Sequence, residues 1–88
     1  MTYYVYMLLN YESKRKVSYV GYTSNLKKRI ILHNSSKGAK FTKGRKWILI
    51  YKKKYHEKSD AIKNEYKLKK NSLLRKKLKD KFIIRYLT

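Results

Sequence analysis

Three runs of apolar and aromatic residues along the chain predict three β-strands. Tyr3–Leu9 forms the first run and Val17–Tyr22 the second, and the polar stretch between them predicts a β-hairpin. The third run is Trp47–Tyr51, which can extend to Tyr55. The short connection makes the first two strands antiparallel, whereas the pattern leaves the direction of the third strand open.

Apolar residues at helical spacing predict a first helix after the hairpin. Thr23 or Ser24 can cap this helix, because a hydroxyl at that position accepts hydrogen bonds from the free amides of the first turn. Within the helix, Leu26, Ile30 and His33 recur on one face. The polar residues 34–46, with glycine at two positions, then predict a loop before the third strand.

Two further helices follow the third strand. Ser59 precedes a helical pattern formed by Ala61, Ile62, Glu65 and Leu68. The pair Asn71-Ser72 ends that helix and caps a last one built on Leu73, Leu74 and Leu78. The apolar tail Phe82–Leu87 can pack back on the body as a helix end or a short strand. We therefore predict one α/β (α+β) domain over residues 1–88, with a three-stranded, mostly antiparallel sheet flanked by helices in the order β-β-α-β-α-α.

The charge of the chain indicates the chemistry of its partner. Twenty-five Lys and Arg residues against five Asp and Glu residues give a net charge of +20. Self-repulsion of this size opposes compaction unless a polyanion neutralises it, and nucleic acid is the commonest such partner. An anionic membrane is the rival partner. However, the apolar residues are scattered among short segments and do not form one amphipathic helix with a basic face.

Composition also excludes several classes of protein. The hydrophobic fraction of 42% suffices for one compact core, which argues against a disordered basic tail. Without cysteine there is no disulfide and no Cys-type zinc site, and two histidines cannot build a zinc centre alone. We expect a cytoplasmic protein, because no signal peptide and no run of about 20 apolar residues is found.

The tyrosines of the first two strands are the first candidates for chemistry. Tyr4 and Tyr6 point to the same face of their strand, and the hairpin can bring Tyr6 close to Tyr19. Tyrosine also has a high β propensity and stacks across strands, so a purely structural interpretation is open. In the functional interpretation, a tyrosine hydroxyl donates to a phosphate oxygen or accepts a proton from water.

Three charged or titratable residues of the predicted helices are further candidates. Arg29 and His33 are one helical turn apart and share a face with apolar residues. Glu65 lies on the apolar stripe of its helix, where a carboxylate is rarely buried unless it is paired or bound to a metal. An ion pair with a nearby lysine is the structural alternative for Glu65. The functional alternative is a single Mg²⁺ or Mn²⁺ ion that bridges this carboxylate to phosphate.

The polar loop offers a surface for nucleic acid. Phe41 lies among basic residues, a combination that suits contact by stacking and charge, although Phe41 could equally anchor the loop in the core. The predicted nucleic-acid-binding residues of the loop are Lys40, Phe41, Lys43 and Arg45.

The order of these residues resembles that of the GIY-YIG nucleases. Tyr4-Val5-Tyr6 followed by Tyr19-Val20-Gly21 is similar to the paired motif of that family, with Tyr in place of the first Gly and Val in place of both Ile. The resemblance covers roughly Tyr3 to Lys70 and is closest to the small single-domain members, which consist of little more than the nuclease domain of the excision-repair proteins. Further positions in family order are Thr23, Asn25-Leu26, Arg29, His33-Asn34, Gly38, Lys40-Phe41-Thr42, Trp47, Ala61 and Glu65.

The resemblance implies a role for each candidate residue. Tyr6 would be the general base or water activator, and Tyr19 and Arg29 would hold the nucleophile and the scissile phosphate. His33 would assist proton transfer, and Glu65 would bind one divalent metal, Mg²⁺ or Mn²⁺. The implied activity is a metal-dependent endonuclease that hydrolyses phosphodiester bonds in DNA, with low sequence specificity or recognition of DNA structure.

Other functions remain open on the sequence alone. A non-catalytic DNA- or RNA-binding module on the same scaffold would also use the basic surface, but it would gain nothing from an inward carboxylate. A protein of translation or ribosome assembly, directed to RNA, is a third and weaker interpretation. Oligomeric state is left open by the sequence.

Overall fold

A three-stranded antiparallel sheet forms the centre of the computed structural model, which describes residues 1–12 and 14–86. The elements follow in the predicted order β-β-α-β-α-α, with one short 3₁₀ turn at Lys40–Thr42. The strands are β1 (Tyr3–Leu9), β2 (Ser18–Thr23) and β3 (Ile48–Tyr55). The helices are α1 (Leu26–Asn34), α2 (Lys58–Lys70) and α3 (Ser72–Tyr86).

Strand β1 lies in the middle of the sheet, in the order β2-β1-β3, and pairs antiparallel with both neighbours. The structure thus decides the direction of β3, which the sequence left open. Side chains of a central strand are covered on both faces, which explains why Tyr3–Leu9 is an almost continuous apolar run. The pairing register of β1 against β3 shifts between Met7 and Leu8.

Alternate residues of β1 contribute to two small cores. Val5 and Met7 belong to one core, which they share with residues of β2 and α2: Val20, Ala61 and Leu68. Tyr6 and Leu8 belong to the other core, where they pack with Trp47 and partly buried residues of α1: Leu26 and Ile30. The alternation places Tyr6 in the same core as helix α1, which carries Arg29 and His33.

The caps of the helices differ in part from the prediction. Neither Thr23 nor Ser24 caps α1: the Asn25 side chain accepts from the backbone amide of Lys28 at 3.1 Å, while the Thr23 hydroxyl accepts from the amide of Asn25. Asparagine is as good an N-cap as serine. The predicted cap was therefore wrong by one or two positions. Asn71 does end α2, and it caps α3 by accepting from the amide of Leu74.

The far ends of α1 and of the loop are tied together by one side chain. The amide of Asn34 accepts from the backbone N–H of Trp47 at 2.6 Å and donates to its carbonyl at 3.0 Å. The Asn34 side chain thus bonds to both backbone groups of Trp47, as a paired residue of an adjacent antiparallel strand would. It fixes the end of α1 against the start of β3, and with it the position of His33.

The C-terminal tail continues α3 as far as Tyr86, which selects the helical alternative for this segment, and Leu87 lies outside the described residues. None of the helices within residues 1–12 and 14–86 has the length and apolar character needed to span a bilayer.

Candidate active site

Tyr6 reaches the site by crossing over a glycine on the neighbouring strand. Its register partner on β2 is Gly21, and a Cβ atom at that position would lie 2.5 Å from the Tyr6 hydroxyl oxygen. A side chain on residue 21 would therefore occupy the space of the phenol. The glycine that ends the second tyrosine motif is explained by this close approach.

The Tyr6 hydroxyl is hydrogen-bonded to a buried histidine. The hydroxyl oxygen of Tyr6 lies 2.8 Å from Nε2 of His33, and Nδ1 of His33 lies 2.9 Å from Oγ1 of Thr42. Tyr6 is 1% exposed, and His33 and Thr42 are fully buried. Gly38 packs directly on the His33 ring, where a Cβ atom would collide with Nδ1.

The hydrogen bonds of Thr42 determine which nitrogen of His33 carries the proton. The Thr42 hydroxyl donates to the Ala39 carbonyl at 2.8 Å and accepts from the Ala39 amide at 3.1 Å. Its single hydrogen is used in that bond, so Nδ1 of His33 must be the donor toward Thr42. Nε2 is then an acceptor, and the Tyr6 hydroxyl donates its proton to it.

Burial changes the acidity of both partners. Desolvation raises the pKa of Tyr6 from 10.0 to about 12, although a hydrogen bond from Arg29 opposes this change. Desolvation also lowers the pKa of His33 below its ordinary value, and the charge of Arg29 adds to this effect. At neutral pH the pair is therefore a protonated phenol beside a neutral imidazole.

Arg29 and Tyr19 complete the cluster around the phenol. The hydrogen bond with Tyr6 raises the pKa of Arg29, and Tyr19 contributes in the same direction. The Tyr19 ring lies 6.4 Å from that of Tyr6 and 5.0 Å from that of His33, measured between centroids. Both Arg29 and Tyr19 are partly exposed. The cluster therefore has a partly exposed guanidinium and a partly exposed phenol above the buried, hydrogen-bonded pair of Tyr6 and His33.

Glu65 approaches the same cluster from helix α2. Its charge is close enough to raise the pKa of Tyr6, as the smallest of several causes. The side chain is only 16% exposed and forms an ion pair with Lys69 at 3.3 Å. The ion pair with a lysine that the sequence suggested is thus present, and the carboxylate is turned inward, while metal binding by Glu65 stays a prediction.

The donor set fits one divalent ion held by a single carboxylate. Within residues 1–12 and 14–86, no three His, Asp or Glu side chains converge to form a ligand cage. Mg²⁺ commonly uses one or two carboxylates and retains several waters beside a phosphate, so Glu65 alone is compatible with it. The ion pair with Lys69 does not prevent this, since such i,i+4 pairs contribute only about 0.5 kcal/mol.

Phe41 connects the loop to the site. Its ring stacks on Tyr19, with centroids 6.2 Å apart and planes at 22°, yet 51% of the residue stays exposed. The guanidinium carbon of Arg45 lies 5.2 Å from the ring centroid. Phe41 thus anchors the loop and is accessible at the same time. Lys40 and Lys43 are exposed on the same loop.

The structure brings together all five residues that the sequence proposed as catalytic, and it adds two that the sequence named without a role. These are Thr42, which sets the proton position on His33, and Gly38, which makes room for that ring. A buried threonine in a polar loop has no distinctive pattern. Only its contacts identify it.

Comparison with known proteins places the chain in a family. A model of the GIY-YIG catalytic domain matches residues 2–79. The chain is 42% identical over 67 residues to the UPF0213 protein of Staphylococcus haemolyticus, covering 75% of this chain and 78% of that protein. It resembles the solution NMR structure of the UPF0213 protein BH0048 from Bacillus halodurans with a TM-score of 0.50 and 38% identity, covering 88% of this chain and 80% of the other. The chain therefore belongs to the GIY-YIG catalytic domain family.

Proposed function

We propose that the protein is a small metal-dependent endonuclease that hydrolyses phosphodiester bonds in DNA. The observation that carries the proposal is the hydrogen bond of 2.8 Å between the Tyr6 hydroxyl and His33 Nε2, beneath Arg29 and beside Glu65. A proton acceptor, a cation and a carboxylate then converge on one part of a protein of charge +20.

In this proposal, Tyr6 and His33 activate water as a relay. A phenol with a pKa of about 12 is not ionised at neutral pH, so Tyr6 cannot act as a base by itself. The attacking water gives a proton to the Tyr6 oxygen as the Tyr6 proton passes to Nε2 of His33. The lowered pKa of His33 keeps the imidazole neutral and ready to accept. The products of this step are a hydroxide equivalent and an imidazolium.

Arg29 and Tyr19 hold the scissile phosphate. A guanidinium forms charge-assisted hydrogen bonds with phosphate oxygens, and these strengthen as charge develops during attack. Because Arg29 rests against Tyr6 before substrate binds, a phosphate placed on Arg29 lies directly beside the relay. Tyr19 is partly exposed, and its hydroxyl would orient the water or the phosphate.

Glu65 would hold one Mg²⁺ or Mn²⁺ ion, which supplies Lewis-acid stabilisation of the leaving oxygen. The role of the protein in this step is to keep a carboxylate close to the phosphate. Before a metal binds, Lys69 forms an ion pair with Glu65, so the inward carboxylate is not left unpaired.

The loop residues Lys40, Phe41, Lys43 and Arg45 would contact the nucleic acid on the exposed side of Tyr19. Because these contacts go to backbone and base faces, they would favour DNA structure over sequence. The bacterial relatives and the strong positive charge support a place in the cytoplasm, on chromosomal DNA and its repair intermediates.

The test is cleavage of supercoiled plasmid and of branched DNA in Mg²⁺ or Mn²⁺, compared with chelator. Glu65→Ala and Arg29→Ala should each reduce the rate at least about 100-fold while the circular dichroism spectrum stays unchanged. Asp80→Ala is the matched control for Glu65→Ala, since Asp80 forms an i,i+4 ion pair with Lys76 on α3. Cutting at the wild-type rate by both site variants would show that the site is assigned wrongly.

The alternative, a DNA- or RNA-binding module without catalysis, is favoured by two observations. Tyr6 and His33 are almost completely buried, and Glu65 is already paired, so the cluster could serve only to hold the fold together. In that case the wild-type protein binds nucleic acid tightly in chelator and cuts none of the substrates.

A further inference from the structure

Phe41 is an exposed aromatic residue at the rim of the site. Phe41 is 51% exposed, whereas Trp47 beside it is 3% exposed. Its position is held from below by Tyr19 and flanked by Arg45. An aromatic ring that is stacked on a second ring, partly open and close to a cation is suited to stacking with a nucleobase.

A groove of about 270 Å³ opens beside this ring along the free edge of strand β2. Its lining combines apolar surface with two cations, contributed by Ser18, Tyr19, Val20, Phe41, Lys69 and Arg75. Lys69 is half exposed, and Arg75 is held in place by donating to the Leu68 carbonyl at 3.0 Å. The groove therefore offers apolar surface for a base and positive charge for a phosphate.

We propose that this groove binds one unpaired nucleotide next to the scissile phosphate, with the base against Phe41 and a phosphate at Lys69 and Arg75. The inference rests on the proposed nuclease function and names its substrate class: DNA in which the strand is single-stranded on one side of the cut. The groove has a volume of about 270 Å³, just below the roughly 300–1,000 Å³ of pockets for drug-sized ligands, which suits a ligand as small as one nucleotide.

A continuous duplex does not satisfy this groove. Both faces of a paired base are covered by its neighbours in the stack, so a base must leave the stack before it can lie on an aromatic side chain. Unstacking is cheapest where the strand is already unpaired. The groove therefore selects against intact duplex without reading any sequence.

The position of the groove connects it to the chemistry. Tyr19 lines the groove and also contacts His33, with ring centroids 5.0 Å apart. Lys69 lines the groove and is also the ion-pair partner of Glu65. Tyr19 and Lys69 thus link the groove directly to the catalytic cluster, and we expect cuts close to the boundary between paired and unpaired DNA.

The test is binding of two labelled DNA substrates in chelator, where no cleavage occurs. One is a fully paired duplex, and the other is identical except for a single-stranded arm with 2-aminopurine as its first unpaired base. Stacking quenches the fluorescence of this base. The wild-type protein should quench it and should bind the armed substrate more tightly. Phe41→Ala should weaken binding of the armed substrate roughly tenfold and remove the quenching, and it should weaken binding of the duplex much less.

Two variants make the result specific for stacking. Phe41→Trp keeps a ring at the position and should keep both affinity and quenching. Tyr66→Ala removes another exposed aromatic with a nearby cation, since Tyr66 is 60% exposed and the Nζ of Lys70 lies 5.4 Å from its ring. Because Tyr66 is outside the groove, its removal should leave both measurements unchanged. Equal loss of binding to both substrates in Phe41→Ala, or quenching that survives it, would overturn the proposal.

Binding and cleavage measured side by side distinguish failure of the nuclease proposal from failure of the groove proposal. If the wild-type protein shows the binding contrast but cuts nothing in Mg²⁺ or Mn²⁺, the groove is confirmed as a nucleotide site and the catalytic proposal is wrong. If it cuts armed and paired DNA equally and binds them equally, the nuclease stands and the groove proposal is wrong. The same substrates made of RNA distinguish which nucleic acid the groove takes.

Discussion

At the scale of single residues, the position of the Tyr6 hydroxyl depends on the absence of a side chain at residue 21. A methyl group there would lie 2.5 Å from the hydroxyl oxygen, far inside van der Waals contact. The position of the phenol and its hydrogen bond to His33 therefore depend on a glycine of the neighbouring strand. The glycine that ends the second tyrosine motif thus leaves the space that the tyrosine of the first motif occupies.

Gly21→Ala should therefore displace Tyr6, at a cost of about 1–3 kcal/mol in unfolding free energy, and should abolish cleavage. Gly44→Ala is the matched control, because Gly44 has φ of 72° and a methyl group added to it would meet no atom within 4 Å. It should lose a similar 1–2 kcal/mol through backbone strain, about the cost of this conformation for an L-residue, but should retain cleavage. Urea unfolding and plasmid nicking measure the two effects. A Gly21→Ala protein that cuts normally would contradict the role of Tyr6.

At the scale of elements, the short turn Lys40–Thr42 holds helix α1 in position through hydrogen bonds. The Thr42 side chain bonds to His33 of α1, and its carbonyl accepts from the indole Nε1 of Trp47 at 3.1 Å. Three segments that are separate in the sequence thus meet on one threonine. The turn also carries Phe41, so the element that orients the buried histidine presents the exposed aromatic ring.

Replacing Thr42 should separate its role in orienting His33 from simple packing. Thr42→Val keeps the shape but leaves Nδ1 of His33 and the Ala39 amide without acceptors, which should cost about 1–3 kcal/mol. It also frees the proton position on His33, so the pH profile of cleavage should shift. Thr42→Ser keeps the hydroxyl and should restore the wild-type profile. Identical profiles for the two variants would mean that Thr42 serves packing only.

At the scale of the whole molecule, the chain has few groups that titrate near neutral pH. It contains two histidines and five acidic residues beside 25 Lys and Arg. Histidine is the side chain whose charge ordinarily changes between pH 5 and 8. His33 is fully buried, whereas His56 is exposed. The pH dependence of stability in this range should therefore come from His33.

The sign follows from the lowered pKa of His33. The unfolded chain takes up a proton at about pH 6.5, while the folded protein resists it because burial penalises the charge. Stability should be fully present above about pH 6.5 and should fall as the pH drops below that value, by at most about 1.4 kcal/mol per pH unit. Urea unfolding at several pH values measures the slope. His33→Gln should flatten it and His56→Gln should not; an unchanged slope in His33→Gln would refute the assignment.

Local patterns in the sequence were sufficient for the elements of this fold. Alternation and β-branched or aromatic runs located the three strands, and helical spacing located the three helices, because both depend on neighbours within a few residues. The caps were less certain, since Thr23, Ser24 and Asn25 are all suitable and only the geometry selects Asn25. The inward placement of Glu65 could also be predicted, because a helical stripe has a defined face.

The chemistry of the site was decided by contacts between distant parts of the chain. The bond from Tyr6 to His33 joins residues 27 positions apart. The high pKa of Tyr6, the proton position on His33 and the exposure of Phe41 all arise from such contacts. No periodicity encodes them, because burial and hydrogen-bond partners exist only after strands and helices have packed. The sequence determined by itself which residues could take part, and the tertiary structure decided which atoms meet and which of them holds the proton.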